Sequence, residues 1–185
     1  VKWMQDHPEC QVVYTDEIWI RNGVRVNPMF KHQKYSGDIF KQCLPLCIVS
    51  PSSVMLRKSL LDEVGGFDES MPVCEDYDLW LRIAVRYPFK FLNDKLIIKR
   101  GGHKDQLSRK YWGMDRFRIK SLEKILLEGH LNQVYKIATQ KILVSKLKIL
   151  INGAIKRNNQ AVIEEYSSKL ENWEKMVIQN NRLQG

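Results

Sequence analysis

The pattern of apolar residues changes character once, near residue 100, and that change limits what the chain can fold into. Before it, short β-prone runs alternate with short helical patterns. From Leu107 onward only helical spacing remains. Lys2 to His7 reads as the tail of a helix stopped by Pro8, and Gln11 to Thr15 as a short buried strand. Ile18-Trp19-Ile20 and Val24-Arg25-Val26 flank Arg21-Asn22-Gly23, and Asn-Gly between β-prone runs predicts a hairpin. Residues 27–47 read as irregular, with one helical turn near Asp38 to Gln42. Ser52 to Leu56 predicts a strand and Arg57 to Val64 a short helix, with Gly65 placed where a left-handed residue would end it. A clearer helix runs from Glu75 to Tyr87 on the spacing of Leu79, Ile83 and Tyr87. Asp78 and Arg82 form an (i, i+4) pair outside that stripe. Phe89 to Leu92 and Leu96 to Ile98 predict two further strands around Asn93-Asp94. Such alternation argues an α/β layer. The tail predicts a helical hairpin, Gln133 to Ile155 and Gln160 to Gln179, about a turn at Arg157-Asn158-Asn159.

Composition narrows the class. With 185 residues, 44% apolar and 28% charged, the chain suits one folded core with a small appendage. No run reaches the ~20 apolar residues of a membrane span, and Lys146 and Lys148 interrupt the richest candidate, Ile142 to Ile151. The opening Val1-Lys2-Trp3-Met4 is not a signal peptide and reads as the middle of a longer gene product. Cys10, Cys43, Cys47 and Cys74 show no CxxC pairing, which argues against zinc and for a reducing, cytoplasmic compartment.

The net charge of +9 is uneven. Residues 1–85 are slightly acidic, whereas Arg86 to Lys120 carries eleven basic residues against Asp94, Asp105 and Asp115. Such a stretch attracts the phosphate of a nucleotide, nucleic acid or membrane, or is simply a solvated face. It contains no nucleic-acid reading motif, so no specific nucleic-acid partner is expected. Lys141, Lys146, Lys148, Lys156 and Arg157 suit peripheral contact with an anionic membrane, on its inner face, where lipid-linked acceptors reside.

The chemistry-bearing stretch is Glu75-Asp76-Tyr77-Asp78-Leu79-Trp80-Leu81-Arg82. Three carboxylates in the first turn of a helix complement the helix dipole at about 0.3–1 kcal/mol each. Alternatively one of them points outward as a general base, since a carboxylate is ionised at neutral pH and accepts a proton from a substrate hydroxyl. Gly65-Gly66 reads either as helix termination with a tight turn or as close approach of backbone to an acceptor sugar. Trp80 lies near the apolar stripe and reads as core.

Three blocks, Ser52-Ser53-Val54-Met55-Leu56-Arg57, Val64-Gly65-Gly66-Phe67-Asp68-Glu69 and Glu75 to Arg82, resemble the family-2 glycosyltransferases in order and spacing. Weaker similarity runs from Val1 to about Glu128. The resemblance implies a partial GT-A-type mixed sheet flanked by helices over residues 1–128, followed by the helical hairpin appendage over 129–185. It also implies a nucleotide-sugar donor, a saccharide or lipid-linked acceptor, inversion at the anomeric carbon, a divalent cation (Mn²⁺ or Mg²⁺), and a role in cell-envelope polysaccharide or glycoconjugate synthesis. By the same resemblance Asp76 is the catalytic base and Glu75 shapes the site. Asp78 with Arg82 is a supporting ion pair of the substrate site, beside Gly65 and Gly66 where these approach the acceptor sugar, and His103 helps hold metal or diphosphate. Gln106-Leu107-Ser108-Arg109 is similar to a motif of processive members, but Lys110 stands where that motif has Trp, so processivity is not implied. The family's uridine-binding strands and Asp-x-Asp motif are not found, and Asp16-Glu17 reads as a loop. The chain is therefore expected to carry the acceptor side, to be a poor enzyme alone, and to cover an exposed sheet edge by dimerisation or a partner. The alternative is a non-catalytic, glycosyltransferase-like binding module acting through its helical hairpin.

Overall fold

A computed structural model describes residues 1–102 and 110–182. His103 and the Gln106 to Arg109 segment lie outside the described residues. Two compact units are present, Val1–Trp112 and Gly113–Gly185.

The first unit is mixed α/β. Its elements are α1 (Lys2–Asp6), β1 (Val12–Arg21), β2 (Val24–Val26), α2 (Phe40–Cys43), β3 (Val54–Leu56), α3 (Lys58–Val64), α4 (Glu75–Ala84) and β4 (Lys90–Gly101). The four strands form one sheet centred on β1. Along one edge β1 pairs antiparallel with β3 at Val12–Tyr14 and with β2 at Trp19–Arg21. Along the other it pairs parallel with β4, from Val13 opposite Lys90 to Arg21 opposite Gly101. Asn22 and Gly23 close the β1–β2 hairpin, both at positive φ (50° and 80°) as a two-residue primed turn requires.

The strands depart from the sequence pattern at two places. β1 does not stop at Thr15 but runs on as one ten-residue strand that contains Asp16 and Glu17. Asn93-Asp94 does not separate two strands either. The β1–β4 register jumps from Thr15–Leu92 to Asp16–Lys95 and then to Glu17–Ile97, so the extra residues of β4 are taken up as bulges in one continuous strand. Backbone pairing with β1 resumes beyond the bulge, and this holds the strand together.

One sheet face carries the core. Tyr14 meets Phe89 edge-on at 6.2 Å, and Phe89 meets Trp80 of α4 at 6.4 Å, so α4 covers this face. Ile39, Phe40, Leu79 and Ile83 are buried in the same unit, and each such side chain contributes roughly 1.5–3 kcal/mol. The Tyr14 hydroxyl donates to the Tyr35 carbonyl (2.7 Å) and accepts from the Tyr35 amide (2.9 Å), anchoring the irregular segment after β2. Trp80 is 2% exposed and belongs to the core, as its place near the apolar stripe predicts. On the opposite face Val13, Thr15, Leu92, Leu96 and Ile97 line a hollow of about 310 Å³ beside Val1 and Trp3.

The second unit is helical: α5 (Asp115–Leu127), α6 (Gln133–Ile155) and α7 (Gln160–Arg182). Asn132 caps α6 by accepting from the Tyr135 amide at 2.9 Å. Leu122, Ile125, Leu143, Leu147 and Leu150 are buried. The hairpin predicted over residues 129–185 is therefore joined by α5, which packs on α6. Lys146, expected on a membrane-facing surface, is instead buried and pairs with Asp115 at 3.1 Å, a carboxylate that Arg118 also binds at 2.9 Å. Among the described residues no helix is long and apolar enough to cross a membrane.

Candidate functional site

The site is organised by the first turn of α4. Cys74, the residue before it, is left-handed (φ 62°, ψ 18°), buried, and supplies no side-chain cap. That conformation costs a non-glycine residue about 1–3 kcal/mol and persists only where surrounding packing enforces it. The helix-end amides find part of their partner set in Asp76, whose Oδ1 accepts from the Tyr77 amide at 2.7 Å. Its Oδ2 accepts from the Cys47 thiol at 3.4 Å. Burial, reinforced by the neighbouring Asp76 charge, pushes the Cys47 thiol well above its ordinary range, so it stays protonated and remains a donor. The Tyr77 hydroxyl donates to the Leu44 carbonyl at 2.6 Å, fixing α4 against the segment that carries Cys47. Glu75 is half-buried and makes no hydrogen bond or ion pair among the described residues.

Gly65, Gly66, Asp78 and Arg82 converge, although far apart in sequence. Arg82 Nε binds Asp78 Oδ2 at 2.9 Å, Nη2 binds the Gly66 carbonyl at 2.7 Å, and Nη1 binds the carbonyls of Val64 and Gly65. The guanidinium thus fastens the turn after α3 to α4. Gly65 adopts φ 79°, ψ 159°, a conformation essentially confined to glycine and not the left-handed helical cap the sequence suggests. The Asp78–Arg82 pair expected from the (i, i+4) spacing is formed. Asp78 is 2% exposed beneath Arg82, because the guanidinium neutralises it there.

A second cluster was not foreseen. Glu17 is buried at 3% exposure in the middle of β1. Its Oε1 binds Lys34 Nζ at 3.1 Å and accepts from Ser50 Oγ at 2.9 Å. Lys34 also donates to the Ile48 carbonyl at 2.7 Å, and Lys99 donates to Ser50 Oγ at 3.0 Å. Burial pushes the Glu17 carboxyl up, but the Lys34 and Lys99 ammonium groups and the Ser50 hydrogen bond outweigh it and hold it below its ordinary value. Tyr14 and Glu17, three residues apart, both reach Lys34, an odd spacing on one face that marks the irregular register at Asp16. Residues 47 to 50 join the two clusters: the Cys47 thiol donates to Asp76, the Ile48 carbonyl accepts from Lys34, and Ser50 Oγ donates to Glu17 while accepting from Lys99. The available signal was the run Val12 to Ile20, β-prone on both sides of Asp16-Glu17.

Among the described residues no three His, Cys, Asp or Glu side chains gather so as to hold an ion. These residues alone do not fit Mn²⁺ or Mg²⁺, and His103 lies outside them.

The family model described as "Glycosyltransferase like family 2" matches residues 2–146. An uncharacterised glycosyltransferase of Rickettsia felis is 33% identical over 69 residues, and one of Rickettsia conorii 35% over 69 residues. Each alignment covers 36% of this chain and only 11% of the relative.

Proposed function

Because the chain belongs to glycosyltransferase-like family 2, we propose that it serves to transfer a sugar from a nucleotide-sugar donor, a UDP-sugar, to an acceptor hydroxyl with inversion, in the making of cell-envelope polysaccharide or glycoconjugates. The observation that carries this reading is the setting of Asp76. It is half-buried at the positive end of α4, with one oxygen on a backbone amide and the other on a thiol that stays protonated. A carboxylate offers about four lone-pair positions, so these two contacts orient it and leave capacity for an incoming proton. Asp76 takes that proton from the acceptor hydroxyl as the oxygen attacks C1 on the face opposite the leaving nucleoside diphosphate. Glu75 shapes the approach. The Asp78–Arg82–Gly66 fastening keeps the turn beside α4 in place. The divalent cation would need ligands outside the described residues, and no step here depends on it.

The test is transfer from a panel of sugar nucleotides by the gene product that carries this chain, wild type against Asp76→Asn. The isosteric amide cannot take the proton, so turnover should fall by about 10²–10⁴-fold while hydrogen-exchange protection of the fold is kept. Near-normal turnover by the variant would refute the assignment.

A further inference from the structure

The reading of Asp76 leaves open what the acceptor is. A hollow of about 350 Å³ lies beside the Glu17 cluster, between the irregular middle of β1 and β4 and the segment after β2. Its lining includes Asp16, Asn93, His32, Gln33, Lys34 and Phe30. We propose that this hollow is the acceptor subsite and that it takes a neutral saccharide; the proposal rests on the transferase reading for its role, though not for its binding chemistry.

Three observations lead there. The first is the type of lining. Phe30 is 86% exposed, an unusual state for so large an apolar ring, and it stands at the wall of the hollow together with planar polar groups. A sugar ring has an apolar C–H face that packs on an aromatic ring and a rim of hydroxyls that both donate and accept. Asp16 accepts, while Asn93 and Gln33 do both, which matches that rim. Burial, with the nearby ammonium groups of Lys31, Lys99 and Lys34, lowers His32 below its ordinary value. A neutral imidazole likewise offers one donor and one acceptor.

The second is charge, which separates a neutral ligand from a phosphate. Lys34 lines the hollow, but its ammonium is committed to Glu17 at 3.1 Å and to the Ile48 carbonyl at 2.7 Å. With that cation neutralised and the Asp16 carboxylate on the wall, a nucleoside diphosphate is poorly matched. A polyhydroxylated neutral ligand loses nothing to either group.

The third is position. Ile48, which receives Lys34, is the chain neighbour of Cys47, whose thiol binds Asp76. The hollow is thus tied to the Asp76 helix through Lys34 on its wall and the residue 47–48 segment. The bulges of β4 place Asn93 at this point, a use for an irregularity that pairing alone does not explain.

Binding is tested on the isotope-labelled 185-residue chain without donor, using neutral di- and trisaccharides of varied linkage and, separately, UDP and inorganic pyrophosphate. The expected result is that at least one neutral saccharide shifts the amide signals of Phe30, His32 and Asn93. Its Kd should weaken about tenfold in Phe30→Ala and in Asn93→Ala, while UDP and pyrophosphate leave those signals alone. Asp76→Asn should lose transfer yet still show the saccharide-induced shifts of Phe30, His32 and Asn93, which separates this inference from the transferase reading. Saccharide binding without any transfer would sink the transferase reading and leave the subsite standing. Transfer with an acceptor KM unchanged in both variants would do the reverse. Failure of every saccharide to shift those signals, or their movement by UDP instead, overturns the proposal.

Discussion

Removing the guanidinium of Arg82 is the sharpest test of how the Asp76 helix is held. In Arg82→Ala the buried Asp78 carboxylate, 2% exposed, loses the cation at 2.9 Å. The carbonyls of Val64, Gly65 and Gly66 lose their donors too, but water can reach those nearer the surface, so they add little. Removing one partner of a buried ion pair costs about 3–5 kcal/mol, a large share of the roughly 5–15 kcal/mol that holds a domain together. Amide hydrogen exchange of β1 peptides reads the opening of the first unit. A loss of that size speeds their exchange by roughly 10²–10³·⁵-fold. Arg82→Lys should recover part of the loss, since one ammonium reaches Asp78 but cannot span the carbonyls. In the Asp78→Ala, Arg82→Ala double variant both members of the pair are gone, so its cost should fall well below the sum of the single changes. A single-variant cost under about 1 kcal/mol, typical of an exposed pair, would refute the reasoning, and so would additive behaviour of the two.

Glu17→Gln tests the second cluster through pH. The folded carboxyl lies below its ordinary value of 4.5, so its contribution is fully present above that pH and is lost as pH falls through the lower folded value. Thermal melts between about pH 7 and pH 3 should therefore show wild type losing stability more steeply below 4.5 than the Gln variant does. Tyr14→Phe removes both partners of the Tyr35 backbone, at about 1–3 kcal/mol by the shift in urea midpoint. Gly65→Ala should cost about 1–3 kcal/mol from its φ of 79°, since the added methyl meets Arg82 only at an ordinary 3.6 Å. Gly66→Ala, with nothing within 4 Å, serves as its control.

What could be read from sequence was whatever depends on neighbours in the chain. The Asn22-Gly23 hairpin, the apolar stripe of α4 and the span of α6 follow from local spacing, and each is present. The alternation before residue 100 indicated the α/β class correctly. What escaped was decided by distant partners. Asp16-Glu17 looked like a loop because two carboxylates in a strand are costly, and the compensation for the buried one, Glu17, comes from Lys34 and Ser50 on other segments. Asn93-Asp94 looked like a turn because turn residues also serve in bulges, and only the parallel partner tells the two apart. Asp76 was singled out from its motif, yet its thiol partner lies 29 positions away, and no periodicity connects them.

The pairing of β1 with β4 also sets a schedule for folding. β2 follows β1 at once and β3 pairs with residues 12–14, whereas the whole parallel edge waits for a strand that begins at Lys90. At synthesis rates of about 5–20 residues per second, that edge, with Val13 and Tyr14, emerges roughly 4–15 s before its partner. Parallel, long-range pairing is also intrinsically slow to nucleate. The central strand of the finished sheet is thus the segment most exposed to foreign strands while the chain is being made. Chaperone dependence should accordingly track changes in β4 more closely than changes in β2.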